Sequence, residues 1–139
     1  MNAALSLALM VSTLLAACQK TANPAAEAAL EGAFVAQIDP LRCTMPTTQA
    51  LEIRPDGGGT YRIDYEFYWK TGYALRGVTA ERQGEQYRLR YQGQDIGQFG
   101  PDEVFDPHTF RRVPGRLLVL RWEGTPQDRL EFMGVKKER

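Results

Sequence analysis

From Ala33 onward the chain alternates apolar and polar positions with a period of two. The clearest run is Thr60 to Trp69. Tyr61, Ile63, Tyr65, Phe67 and Trp69 share one side, and Arg62, Asp64, Glu66 and Tyr68 share the other. Successive side chains of a strand point to opposite faces, so this run predicts a half-buried strand, central to its sheet. Burying five such side chains contributes roughly 7–15 kcal/mol gross, before chain entropy is subtracted. Phe34, Ala36 and Ile38 predict another strand. Leu51 and Ile53 predict the next, which ends at the turn signal Pro55-Asp56-Gly57-Gly58-Gly59. Ala74 to Ala80 reads as a weaker strand, interrupted by Gly77. Tyr87, Leu89 and Tyr91 alternate with Arg88 and Arg90 between Gln83-Gly84 and Gln92-Gly93. Leu117 to Trp122 and Leu130 to Val135 predict a last hairpin across Gly124-Thr125-Pro126-Gln127-Asp128.

Regular spacing, turn signals and the lack of a helical pattern after Gly32 predict an all-β domain. Its antiparallel sheet has about seven or eight strands, closed as a small meander barrel or packed as a sandwich. On the outward rows Asp64 and Glu66 are expected to pair with arginines of neighbouring strands. Such exposed pairs contribute only about 0–1 kcal/mol each. Between Gly100 and Pro114 the alternation breaks, and Pro101, Pro107 and Pro114 punctuate the stretch. It reads as a long loop of the kind that carries function.

The N-terminus follows another rule. Met1 to Ala17 contain no Asp, Glu, Lys or Arg, and Leu5, Leu7, Leu9, Met10, Val11, Leu14 and Leu15 form an apolar run. This is the layout of a secretory signal, short for a membrane span of about 20 residues, although only the Met1 amine supplies the expected positive charge. Gln19 to Gly32 is an Ala-rich tether. Asn23 as N-cap, Pro24 and Gly32 predict a short helix over 24–31. Fully extended, the tether reaches roughly 45 Å.

The run closes on Leu15-Ala16-Ala17-Cys18, which resembles the lipobox of bacterial lipoproteins. That resemblance implies cleavage before Cys18, diacylglycerol on its sulfur and often acylation (commonly palmitate) of the new amine. It also implies an outer-membrane address facing the periplasm, because Gln19 stands where Asp would retain the protein at the inner membrane. Each buried CH₂ contributes about 0.8 kcal/mol, so two or three chains hold the protein effectively permanently. The organisation is then a signal peptide (1–17), a lipidated cysteine with tether (18–32) and a β domain (33–139). The mature chain of about 120 residues suffices for one domain with one modest core.

Charge excludes one class of function. Lys and Arg number 17 and Asp and Glu 17, so the chain lacks the basic surplus of a nucleic-acid binder. Catalysis finds little to work with. The only serines are Ser6 and Ser12 of the signal, which leaves Cys43 with His108 as the sole nucleophile–base combination, unsupported by spacing. Asp64 and Glu66 read as solvated residues of a sheet face rather than an acid–base pair, and no enzyme is expected. Once Cys18 is lipidated, Cys43 is an odd thiol, most simply a buried one.

His108 with Asp102, Glu103 and Asp106 has metal-ligand residue types but matches no calcium-loop or zinc spacing. Cys43, Met45, Met133 and His108 are soft ligands suited to copper if the fold gathers them. The run from Cys43 through Leu51 to Ile53, Asp56-Gly57 and Tyr61 resembles the small barrel domain of copper-responsive envelope-stress lipoproteins. That family carries a Cys-x-x-Cys pair, whereas here Cys43 stands alone. No cofactor or metal is therefore assigned.

The remaining clue is a set of Arg and aromatic residues outside the core row: Tyr73, Arg76, Phe105, His108, Phe110, Arg111 and Arg112, with Tyr68 beside them. Tyr, Phe and Arg anchor protein interfaces. The expectation is a non-catalytic, membrane-anchored lipoprotein whose β domain binds a periplasmic protein, in an immunity or inhibitor role or in envelope or secretion assembly. The alternative is a small-molecule or copper carrier or sensor with its pocket inside the barrel.

Overall fold

The structure, a computed structural model, describes residues 29–40, 46–67, 70–125 and 128–138. The expected signal segment, Cys18, Cys43, Met45, Tyr68 and Trp69 lie outside the described residues, as does the expected tether up to residue 28. Eight strands follow in order: β1 (Gly32–Ala36), β2 (Ala50–Gly57), β3 (Thr60–Phe67), β4 (Lys70–Gln83), β5 (Gln86–Tyr91), β6 (Gln94–Asp106), β7 (Arg111–Thr125) and β8 (Asp128–Lys136). Each pairs antiparallel with the next, and β1 returns to β8 through Phe34↔Lys136, Val35↔Val135 and Ala36↔Gly134. The sheet is thus a closed meander barrel, which leaves no open edge along its wall.

The alternating rows decide which side faces in. Tyr61, Ile63 and Tyr65 of β3 are buried, as are Leu51 and Ile53 of β2 and Tyr87 and Leu89 of β5. Phe34 and Phe99 meet edge-to-face at 5.6 Å between ring centroids. The interior is filled by these side chains with Leu118, Leu120, Leu130 and Phe132. Leu30, which the sequence places in the tether, is fully buried in the same cluster. The domain therefore takes in the last residues of that tether. Ile38 departs from expectation in the other direction: β1 ends at Ala36, and Ile38 is exposed.

Two further departures have local causes. The weak stretch Ala74 to Ala80 is the middle of the 14-residue β4. There Tyr61 pairs with Val78 and Ile63 with Leu75, so β4 carries one extra residue as a bulge. Gly77 sits in that bulge at φ +74°, where a side chain would be strained. Strand β6 has no clean alternation because a register shift falls between Leu89↔Gly97 and Arg90↔Asp95. Ile96 and Phe99 are both buried although three positions apart.

On the outer wall Asp64 accepts from Arg54 of β2 at 2.6 Å and from Arg62 at 2.8 Å. Partial burial is the largest single influence on the Asp64 carboxyl and pushes its pKa up. The hydrogen bonds and charges of Arg54 and Arg62 together outweigh it and hold the group below 3.8. A depressed carboxylate contributes stability that is present above its unfolded pKa and lost as pH falls through the folded one. Acid titration should therefore destabilise the barrel progressively below 3.8. The Asp64→Asn variant should show a shallower acid limb in urea melts collected across that range. Equal slopes for the two chains would refute this assignment.

Candidate protein-docking arm

The stretch 100–114, expected as a loop, is the outer half of a hairpin. β5 pairs with β6 only as far as Tyr87↔Phe99, and β8 with β7 only as far as Leu118↔Gly134. Beyond those points β6 and β7 pair with one another alone, from Pro101↔Arg116 to Asp106↔Arg111. The result is a two-stranded arm ending in the turn 107–110. Alternation is absent because the arm has no flanking strand and does not present one face to the main core. Phe105 is buried, but outside the main core cluster.

A free ribbon of this kind exposes backbone donors and acceptors on both edges. Here side chains occupy the β6 edge in succession. The Pro101 carbonyl accepts from Gln86 Nε2 at 2.8 Å. The Glu103 amide donates to Asp102 Oδ1 at 2.7 Å. At Phe105 the side-chain amide of Gln37 satisfies both backbone groups, with the Phe105 amide donating to Oε1 at 3.3 Å and Nε2 donating to the Phe105 carbonyl at 3.2 Å. Pro114, opposite Glu103 on β7, has no N–H to offer. Strand addition along the β6 edge is thus blocked and Pro114 interrupts the β7 edge, so the arm's chemistry lies in the side chains of its end.

That end is rigidly built. The Asp106 carbonyl accepts from the Phe110 amide at 2.8 Å. Its carboxylate accepts from the His108 amide and the Thr109 hydroxyl, both at 2.9 Å. The hydrogen bond from the His108 amide is the largest of the influences on the Asp106 carboxyl, and with those from Thr109 it holds the pKa below 3.8. Both carboxylate oxygens are spent on the turn, so Asp106 is a turn-former rather than a ligand for His108. Among the described residues no three His, Cys, Asp or Glu side chains gather as a metal site. Phe110 takes φ +57°, unusual for an aromatic residue. Its ring stands edge-on to Phe105 at 5.1 Å and remains 63% exposed.

The residues singled out from sequence divide in consequence. Phe105, His108, Phe110, Arg111 and Arg112 come together at the arm's end. Phe105 is a buried support, while His108, Phe110 and Arg111 are exposed. Arg112 Nε lies 3.3 Å from Asp39 Oδ2, at ion-pair distance but off the hydrogen-bond axis, and Asp39 is buried. Arg112 therefore fastens the arm to the connection after β1. Tyr73 and Arg76 belong elsewhere, on β4. Tyr73 is half-buried and stacks on Tyr65 at 5.8 Å. Arg76 forms a two-pronged pair with Asp56, at 3.0 and 3.3 Å, and its hydrogen bond is the main cause of the lowered Asp56 pKa. Gln37 and Asp39 were invisible as arm residues in the sequence, because their partners lie 68 or more positions away. No protein-family model, curated protein or solved structure matches the chain.

Proposed function

We propose that the chain is a lipoprotein, held in the outer membrane by acylated Cys18 and facing the periplasm, whose β domain binds another protein without catalysis. The observation that carries this reading is Phe110. A large aromatic side chain is presented to solvent from a left-handed backbone conformation, which the hydrogen bonds of Asp106 hold in place. Strain retained at an exposed residue points to function, and aromatic anchors dominate protein interfaces. The partner is a toxin or hydrolase to be neutralised, or a component of an envelope or secretion assembly. The barrel interior, filled by Phe34, Tyr65, Phe99 and Phe132, speaks against a carrier or copper sensor with its pocket inside.

One experiment addresses both halves. A photo-crosslinking phenylalanine analogue is placed at position 110 of the full chain in intact envelopes, with the exposed Thr79 position as control. A discrete adduct from position 110 and none from position 79 is expected. Absence of any adduct would remove the partner half. In the same strain Cys18→Ser should leave the membrane fraction, and undisturbed membrane attachment would remove the anchor half.

A further inference from the structure

Val35, Ile38 and Phe110 are the large apolar side chains exposed among the described residues. They are not scattered. Gln37 lies between the first two, and its amide grips the backbone of Phe105. The Phe105 ring in turn packs against Phe110. The three therefore sit on two segments stitched together.

Beside Val35 the outer wall sinks into a groove of about 380 Å³. Its small residues, Ala33, Ala50 and Gly72, come from β1, β2 and β4, which is why the wall is concave there. Its charges favour a cation. Asp64 and Arg62 neutralise each other, leaving Glu52 and Glu66 against Lys137. Glu66 has no ion-pair partner among the described residues. Glu52 reaches Arg54 only at 3.9 Å, while Arg54 is held by Asp64 at 2.6 Å. On the arm the situation is reversed. Arg111 is exposed without an ion-pair partner among the described residues, since the carboxylate opposite it in register, Asp106, is committed to the turn.

One molecule thus carries an aromatic tip with a free cation, Arg111, and a small-residue groove with a free carboxylate, Glu66. Neither Phe110 nor Arg111 lines the groove of its own copy. We infer that a second copy does: the chain forms a two-fold dimer in which Phe110 of each copy seats in the groove of the other and Arg111 pairs with Glu66. Two-fold symmetry makes each contact twice and closes the assembly. A common lipid anchor would raise the effective concentration of one copy for the next. This proposal rests on the reading of the tip as a protein-docking element, and it names one partner for it.

The test is a charge exchange in the full chain purified in detergent, with mass read by sedimentation equilibrium. Arg111→Glu and Glu66→Arg should each weaken dimerisation on the order of tenfold or more. An equimolar mixture of the two variants should restore it, because both tip–groove pairs then meet opposite charges. Phe110→Ala should weaken it without rescue. A wild-type chain that stays monomeric, or a dimer indifferent to both reversals, overturns the proposal. If position 110 of such a chain still crosslinks a different envelope protein, the docking role of the tip stands and only self-association falls.

Discussion

Replacing Gly134 by valine is expected to cost about 3 kcal/mol and to lower the melting temperature by roughly 12 °C. Gly134 lies at the seam that closes the barrel, paired with Ala36 of β1 on one side and Leu118 of β7 on the other. A Cβ on Gly134 would run into the carbonyl oxygen of Val35 and come within 2.6 Å of the Phe132 ring. Neither obstacle is the free end of a flexible chain. The first is backbone of the adjoining strand, and the second is a fully packed ring in a dense interior. The seam is also short, with three register pairs between β1 and β8. Relief of the clash therefore comes from parting those strands. A thermal melt followed by circular dichroism decides the matter, and an unchanged midpoint would mean that β8 can move away from Val35 without cost.

The Leu30→Ala substitution is expected to destabilise by a similar amount, about 3–4 kcal/mol, within the range for truncating a fully buried leucine. Leu30 precedes the first strand, yet no part of it is exposed, and it packs with Phe34 and the rest of the interior cluster. Removing its branched end leaves a void among side chains that the closed wall prevents from collapsing inward. Urea denaturation should give a lower midpoint with an unchanged slope, because the surface exposed on unfolding is nearly the same. If the loss were only a few tenths of a kcal/mol, Leu30 would be a tether residue and the domain would begin at Gly32.

These two positions mark the limits of what periodicity reveals. Strands β2, β3 and β5 are plain in the residue order, since Leu51/Ile53, Tyr61/Ile63/Tyr65 and Tyr87/Leu89 keep strict alternation and each row has one dry side. Strand β6 is not plain. Its bulge puts Ile96 and Phe99 on the same side at a spacing of three, which matches no strand template. Gly77 reads as an interruption until the register of β4 against β3 identifies it as the bulge that keeps Leu75 and Val78 both inside. The arm escapes the pattern for a related reason. Alternation encodes a buried face, and the paired stretches 101–106 and 111–116 have none on the main core.

The candidate site was half legible. Phe110 and Arg111 stand out by residue type beside three prolines and an Asp-rich turn. Whether Phe105 supports or docks, and whether Arg112 is free or fastened, depends on Gln37 and Asp39 across the fold. Residue order alone established an all-β chain, most of the inward rows and the positions where the strands reverse, because each of these follows from neighbours within a few residues. Closure into a barrel, the burial of Leu30 and the latching of the arm belong to the assembled molecule. They rest on contacts between segments far apart in the chain, and no local pattern contains them.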